Sequence, residues 1–583
     1  MYVVTVRDDA LGYQADKLLE SLVLLLLLFK ADSLDQSLGL LSQVSRDKVH
    51  SGIDQSPESR FQASYKLGMI NSLRRIVMLT STSVYGRYFW NSSEVLFDAL
   101  NEIGVPTAYD PNTGLVAGAS FLPMDIDPAT QERCTARRAY YDPYADRPNL
   151  WVTTGQTVTQ ILFAGRPSNA EASAPIVDDT SVGQGYSPGV ASGIFGITTT
   201  LNATAIDPNS HSSKRGLWKR ALDKLKRTIR RRQTVQSQPG LVATGVEYAA
   251  HAGAPRQTVS AKREVVVAAG ALHSPQLLML SGIGPAAALE DQGITVNADI
   301  PGVGKNLQDH GQVWAWYPYY NGSYANPTEL LTDHDFATHA WDQYWTNRSG
   351  PLTTSAIAGV AFPSLPYIVN GSTDIANAAL ILGPQQYLPG GVDQTVRDGY
   401  ARQYELLTGA LQDVTRAAYE LINANDGVLT VATMRPFSRG TITLRSARSF
   451  DPPIIDPRYG SNPIDVQVLQ AALTFNCRLL YTESMSRLQP IQLFPPAEAP
   501  DAQIAQYINA KWQTEYHPAG TCAMSPIHLG GVVDSNLLVY GTMNLRVVDA
   551  SIMPMLPAAH LQAVVYAVAE KVQATHVTEL KHD

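Results

Sequence analysis

The sequence predicts an α/β chain joined to a second, α+β part built on an antiparallel sheet. Three observations carry that class. The segment REVVVAAGALHSPQLLML, from Arg263, is an apolar strand running through a glycine turn into a helix. The stretches MRPFSRGTITLRS and PPIIDPRYG alternate strand-forming and turn-forming residues, and near the C-terminus a strand (LRVVDAS) precedes a long helical segment (LQAVVYAVAEKVQATHV). A strand without polar alternation is buried on both faces, as in a helix-covered sheet, whereas strands separated by turn residues favour antiparallel neighbours.

At 583 residues the chain exceeds what one compact core supports, so two domains interleaved in sequence are expected. Hydrophobic residues at 45% against 16% charged exclude a disordered or fibrous chain. A net charge of -8 argues against a nucleic-acid partner, which needs a positive surface. Three cysteines, Cys134, Cys477 and Cys522, are too few and odd in number for a disulfide framework or a paired-cysteine metal site. The apolar run Leu22 to Phe29 is about half of the ~20 residues that span a bilayer, so no membrane span is expected. Asp8, Asp9, Asp16 and Glu20 stand where a secretion signal carries basic residues, although sequons at Asn91, Asn202, Asn321, Asn347 and Asn370 are compatible with glycosylation and secretion.

The elements follow in chain order. Residues 1–94 contain no strand leading through a glycine-rich turn into a helix and stay unassigned. Residues 95–300 are assigned to the α/β part. Within it SEVLFDALNEIG reads as a helix ending at Gly104, and LWVTT and TVTQILF as a hairpin around Gly155 and Gln156. Residues 166–238 form an insertion whose basic run, Lys214 to Arg232, spaces Trp218, Leu222, Leu225 and Ile229 as an amphipathic helix; a solvated helix is its plainest reading, an anionic-surface binder the sharper one. LVATGVEYAA and TVSAKREVVVAAG extend the hairpin into a meander. A helix is expected from His273 or Ser274, capped by Ser274 with Pro275 in its first turn. Gly282, Gly284 and Ala287 spell a nucleotide fingerprint but follow a helix rather than a strand, so they read as a helix-ending turn. Residues 301–510 form the antiparallel part, in which the aromatic residues between Trp314 and Trp345 suggest an aromatic pocket wall. Residues 511–583 return to the α/β part.

The last segment holds the chemistry. His517 in YHPAGTCAM and His560 in PAAHLQAVVYAVAE each sit at a segment boundary beside small residues. A single histidine is more often a structural residue than a catalyst. Together with their surroundings these two resemble a known pattern: GALHSPQLLMLSGIGP, PGVGKNLQDH, RGTITL, IDPRY, HPAGTCAM, RVVDASIMP and AHLQAVVYAVAE, preceded by ADRPNLWVTTGQTVTQILF, stand in the order found in the glucose-methanol-choline (GMC) oxidoreductases, the fungal aryl-alcohol-oxidase-like branch included. The resemblance covers about residues 95–583 and implies a Rossmann-like FAD-binding domain plus a substrate domain. It also implies oxidation of a small-molecule alcohol, with hydride passing to the flavin N5 and then to oxygen or another electron acceptor. It places the catalytic base at His517 and a second catalytic histidine at His560. Cofactor contacts fall on Val158, Asp549, Ala550 and the amides of Leu561 and Gln562, which open the last helix, where unpaired N–H groups favour negative charge.

One departure stands out. The family opens with a glycine-rich unit that cradles the dinucleotide pyrophosphate, and residues 1–94 show none, so the N-terminal part of the flavin domain is expected to be incomplete. Two function classes follow: a flavin-dependent alcohol oxidoreductase, possessing both histidines, and a flavin-free relative acting as a binding or scaffold protein.

Overall fold

The computed structural model describes residues 4–6, 83–84, 86–108, 111, 114–166, 240–496 and 498–579. The Leu22 to Phe29 run, Asn202 and nearly all of the 166–238 insertion, its basic helix included, lie outside the described residues. No described helix is long and apolar enough to cross a membrane.

Twelve strands and four helices position the site. In chain order they are β1 (Val4–Val6), α1 (Asn91–Glu102), β2 (Ala119–Phe121), β3 (Thr157–Phe163), β4 (Ala243–Ala249), β5 (Gln257–Ser260), β6 (Val265–Val267), α2 (Gly270–Leu280), β7 (Gly311–Trp316), β8 (Gly359–Ala361), β9 (Tyr419–Asn423), β10 (Val428–Thr433), α3 (Pro463–Leu479), β11 (Gln513–Thr514), β12 (Leu545–Val547) and α4 (Gln562–Glu579). Strands β6 and β12 pair in parallel, Val265 opposite Leu545 and Val267 opposite Val547, which is the α/β signature that the apolar VVV run predicts. Strand β1 lies on the other side of β6 and runs antiparallel to it. The meander β3-β4-β5 packs on the same apolar cluster as β6, β12 and α2.

The second layer is a six-stranded, wholly antiparallel sheet in the order β11-β7-β10-β9-β8-β2. Val313, Ala315, Leu421 and Val431 project from one face into the largest core cluster, where α3 supplies Ile464, Val468, Leu469, Ala472 and Leu473. Each such valine, leucine or isoleucine side chain contributes roughly 1.5–3 kcal/mol through burial. Helix α3 starts where it does because Asn462 accepts the Ile464 N–H at 3.0 Å and Pro463, which lacks an N–H, takes the first helical position. The opposite face carries Ala432, Met434 and Val360, on which Ala558 of the loop before α4 packs.

Three sequence expectations change. Residues 151–154 form no strand, so the hairpin about Gly155 is not made; β3 pairs instead with β4, beyond the insertion, because that partner supplies the alternating apolar face. Helix α2 begins at Gly270 rather than at His273 or Ser274, with Pro275 inside it and the Ser274 hydroxyl held by Asp549 instead of capping the helix. Helix α1 and strand β2, grouped by sequence with the α/β part, pack with the antiparallel part: β2 closes one edge of the sheet against β8, and Val95, Leu96 and Leu100 join its core. Gly282 does end a helix, at a left-handed φ of 77°.

One carboxylate ties together the ends of the parallel pair. Asp549 accepts the Gly270 N–H at 2.9 Å, the Ser274 hydroxyl at 2.5 Å and the Ser551 N–H at 2.8 Å, linking the turn after β6 to the turn after β12. Bonds to a charged acceptor contribute about 1.5–3 kcal/mol each, and a buried donor left unpaired is costly. Asp549→Ala is therefore expected to lower unfolding free energy by about 3 kcal/mol or more in denaturant titration; a change near zero would mean that the turns hold without it.

Candidate active site

The site grows from the alternation of the six-stranded sheet. Cross-strand partners project to the same face, and Glu420 of β9 lies opposite Ala432 of β10, which lies opposite Gln312 of β7. Two residues before Gln312, on the same face, stands His310. Its carbonyl accepts the Glu515 N–H at 3.0 Å, extending the β7–β11 pairing by one step and bringing Glu515 beside it. Tyr516 then takes a left-handed φ of 64°, turning the chain so that His517 points back across the sheet. Asp309 fixes that turn by accepting the His517 N–H at 2.9 Å, the Thr514 hydroxyl at 2.5 Å and the Tyr459 hydroxyl at 2.5 Å.

His560 arrives from the other side of the site, on the loop that Ala558 seats against Ala432 and Met434. The structure thus brings together the two histidines that the sequence singles out: their ring centroids are 5.3 Å apart, at 49° between planes. Behind His517 the His310 ring stands edge-on, centroids 5.1 Å apart, with the two Nδ1 atoms 3.0 Å from each other. His560 Nε2 donates to Glu420 Oε1 at 3.0 Å and has Glu515 Oε1 at 3.5 Å. About 15% of the His517 side chain and 31% of the His560 side chain stay accessible, whereas the Glu420 side chain is fully buried.

The environment separates the two imidazoles electrostatically. Burial pushes His517 down to about 4, and His560 beside it adds to that, against the opposing pull of Glu420. Burial also works against charge on His560, but the Glu420 charge and hydrogen bond outweigh it and raise the pKa above 6.5. His310, wholly buried, is held well below the usual range by burial and then by the other two imidazoles. Between about pH 4 and pH 6.5 the arrangement is therefore one imidazolium, at His560, facing one neutral imidazole, at His517.

The other sequence-predicted residues sit elsewhere. Val158 lies on β3 opposite Tyr248 and packs on the α/β cluster. The Asp549 carboxylate is engaged by the two turns, and the Ala550 carbonyl accepts the Gly520 N–H at 3.3 Å. Leu561 is the residue before α4, its carbonyl accepting the Val565 N–H at 2.9 Å, and no carbonyl among the described residues accepts the N–H groups of Leu561 or Gln562. Sequence reasoning missed Glu420, Glu515, Asp309 and His310. The last two end the PGVGKNLQDH segment and Glu515 stands two residues before His517, so adjacency could have flagged three of them; Glu420 in YELIN carries no local signal.

With this geometry in place, comparison with known proteins gives the class of the fold. The architecture is that of FAD-dependent oxidoreductases. It matches an FAD-dependent oxidoreductase from Chaetomium thermophilum at 27% identity and TM-score 0.70, covering 85% of this chain and 73% of that one. A fungal aryl-alcohol oxidase matches at 25% identity and TM-score 0.70, over 91% and 81%. Residues 221–312 and 436–569 match the N- and C-terminal segments of the GMC oxidoreductase family. Among curated relatives, the GMC oxidoreductase family protein Mala s 12 of Malassezia sympodialis is 28% identical over 91% of this chain and 72% of its own length. Dehydrogenase xptC of Emericella nidulans is 29% identical over 84% and 67%, and patulin synthase of Aspergillus clavatus 33% identical over 64% and 58%.

Glu420 is what keeps His560 charged. In Glu420→Gln that charge and hydrogen bond are gone, and the His560 pKa is expected to fall below 6.5 in histidine-labelled NMR titrations. The same shifts fix the sign of stability with pH. The contribution of His560 is whole below pH 6.5 and lost as pH rises through its folded value, whereas that of His517 is lost as pH falls from 6.5 to about 4.

Proposed function

We propose that this chain is an FAD-dependent alcohol oxidoreductase in which His517 takes the hydroxyl proton and His560 holds the resulting alkoxide. The observation that carries the reading is a pair of imidazoles with ring centroids 5.3 Å apart, both partly accessible, of which His560 is bonded to the buried Glu420 carboxylate and His517 to the His310 ring. A proton acceptor must be neutral before the reaction, and an alkoxide forms only where positive charge meets it. His310 completes the acceptor. If the Nδ1–H of His517 donates to His310 Nδ1 across 3.0 Å, Nε2 of His517 carries the free lone pair.

The residues present fit the ring end of a flavin. The unsatisfied N–H groups of Leu561 and Gln562 open α4 directly after His560, and such a terminus favours a partial negative charge by about 0.3–1 kcal/mol. Val158, Asp549 and Ala550 complete the proposed contacts, Asp549 through the two turns that it ties together. The described residues contain no glycine-rich strand-turn-helix unit for the pyrophosphate, so it is the ring end that supports this assignment. Bound FAD supplies the acceptor for the hydride that leaves the alcohol carbon.

An aromatic alcohol is the proposed substrate. Along β7 the side chains of Gln312, Trp314 and Trp316 share the face that carries His310, and the two tryptophans are about half exposed there. Flat indole surfaces on the sheet face that carries His310 suit an aryl ring. The similarity to a fungal aryl-alcohol oxidase accords with this choice.

Purified protein is expected to show the visible spectrum of a bound flavin and to reduce it with a benzylic alcohol. His517→Ala is expected to retain the flavin and lose about 10²–10⁴-fold in kcat. Colourless, well-folded protein, or a His517→Ala variant with unchanged turnover, contradicts the reading; the first result favours a binding or scaffold role.

A further inference from the structure

Glu515 stands in the same cluster with no role in the reaction just described. It is a carboxyl group, 8% exposed, two residues before His517 in sequence. Carboxyl oxygens of Glu515 and Glu420 and a nitrogen of His560 all lie within 4.8 Å of one another. The titratable groups facing Glu515 are Glu420 from β9, Asp309 and His310 from the segment before β7, His517 from its own segment and His560 from the loop before α4. Of these His560 is the one imidazole whose charged form is favoured, His517 and His310 being held down, and it is already bonded to Glu420 at 3.0 Å.

Donors are the deciding count. Among the described residues no hydrogen-bond donor reaches Glu515 Oε1, Glu515 Oε2 or Glu420 Oε2. Two ionised carboxylates would place three buried acceptors and a second negative charge in this space with nothing to satisfy them, a cost that a buried site avoids by binding a proton. One proton between the two groups supplies the missing donor and removes the surplus charge together.

We propose that Glu515 is a positioning residue that shares one proton with Glu420, so that the pair presents a single negative charge to His560 and keeps that imidazole charged without also charging His517. The inference deepens the proposed alcohol oxidation and rests on it for its purpose, though not for its test. Burial, and then the Glu420 charge, hold the Glu515 carboxyl well above the usual carboxylate range, in agreement with the donor count. Were the pair doubly ionised, the added charge would favour a proton on His517 as well and take away the lone pair that the reaction needs.

Infrared difference spectroscopy with isotope-labelled glutamate tests the proposal on the full chain. At neutral pH the wild type is expected to show one protonated, buried carboxylic acid that deprotonates only in alkaline solution, and the signal is expected to vanish in Glu515→Gln. Because a neutral amide mimics a protonated carboxyl, Glu515→Gln should leave the His560 titration in place, whereas Glu420→Gln moves it. Absence of the acid signal in the wild type overturns the proposal, and that measurement stands even if the variant fails to fold. A fall in the His560 titration in Glu515→Gln matching that in Glu420→Gln also overturns it, since Glu515 would then be ionised. None of these readouts needs turnover: active His517→Ala would sink the reaction and leave the shared proton standing.

Discussion

Two imidazoles with centroids 5.3 Å apart in a mostly buried site cannot both carry charge at moderate cost, and the rest of the site follows from how the protein chooses between them. Glu420 makes the choice. Its carboxylate, fully buried on a central strand, reaches His560 and not His517, so His560 takes the proton and, by its charge, helps to keep His517 free of one. The separation of roles is thus a property of one strand position and the loop docked over it.

The scaffold earns this placement by using both of its layers. The antiparallel sheet delivers Glu420, His310, Glu515 and His517 from neighbouring strands or their ends, with the opposite sheet face anchored by the cluster around α3. The α/β layer contributes the loop and helix that carry His560, and Asp549 fixes the turn after β12 from which that loop departs. Asp309 serves the corresponding purpose for His517, its two carboxylate oxygens taking three hydrogen bonds from residues far apart in sequence. Neither histidine depends on its own segment alone for its orientation.

The parts legible in the sequence were those with local signatures. An unbroken apolar strand before a glycine turn marked the parallel pair, and ordered motifs located both histidines. What the sequence concealed was long-range pairing. Strand β3 finds its partner beyond an insertion, and β2 closes a sheet whose other strands begin at Gly311 or later, so neither adjacency nor period reveals them. Glu420 was invisible for a related reason: within YELIN it is an ordinary polar residue of a strand, and only the register of β9 against β10 sets it under His560. Ser274 read as a cap because serine before a helix commonly is one, yet its hydroxyl was claimed by Asp549, some 275 residues away.

The central claim, a cationic His560 beside a neutral His517, is tested most directly by the binding of benzoate, whose carboxylate stands in for the alkoxide, to the flavin-loaded protein as a function of pH. The account predicts tight binding up to the raised pKa of His560 and a Kd that grows about tenfold per pH unit beyond it as the positive charge is lost. A Kd indifferent to pH across that range, or one governed instead by a group titrating near 4, would contradict it.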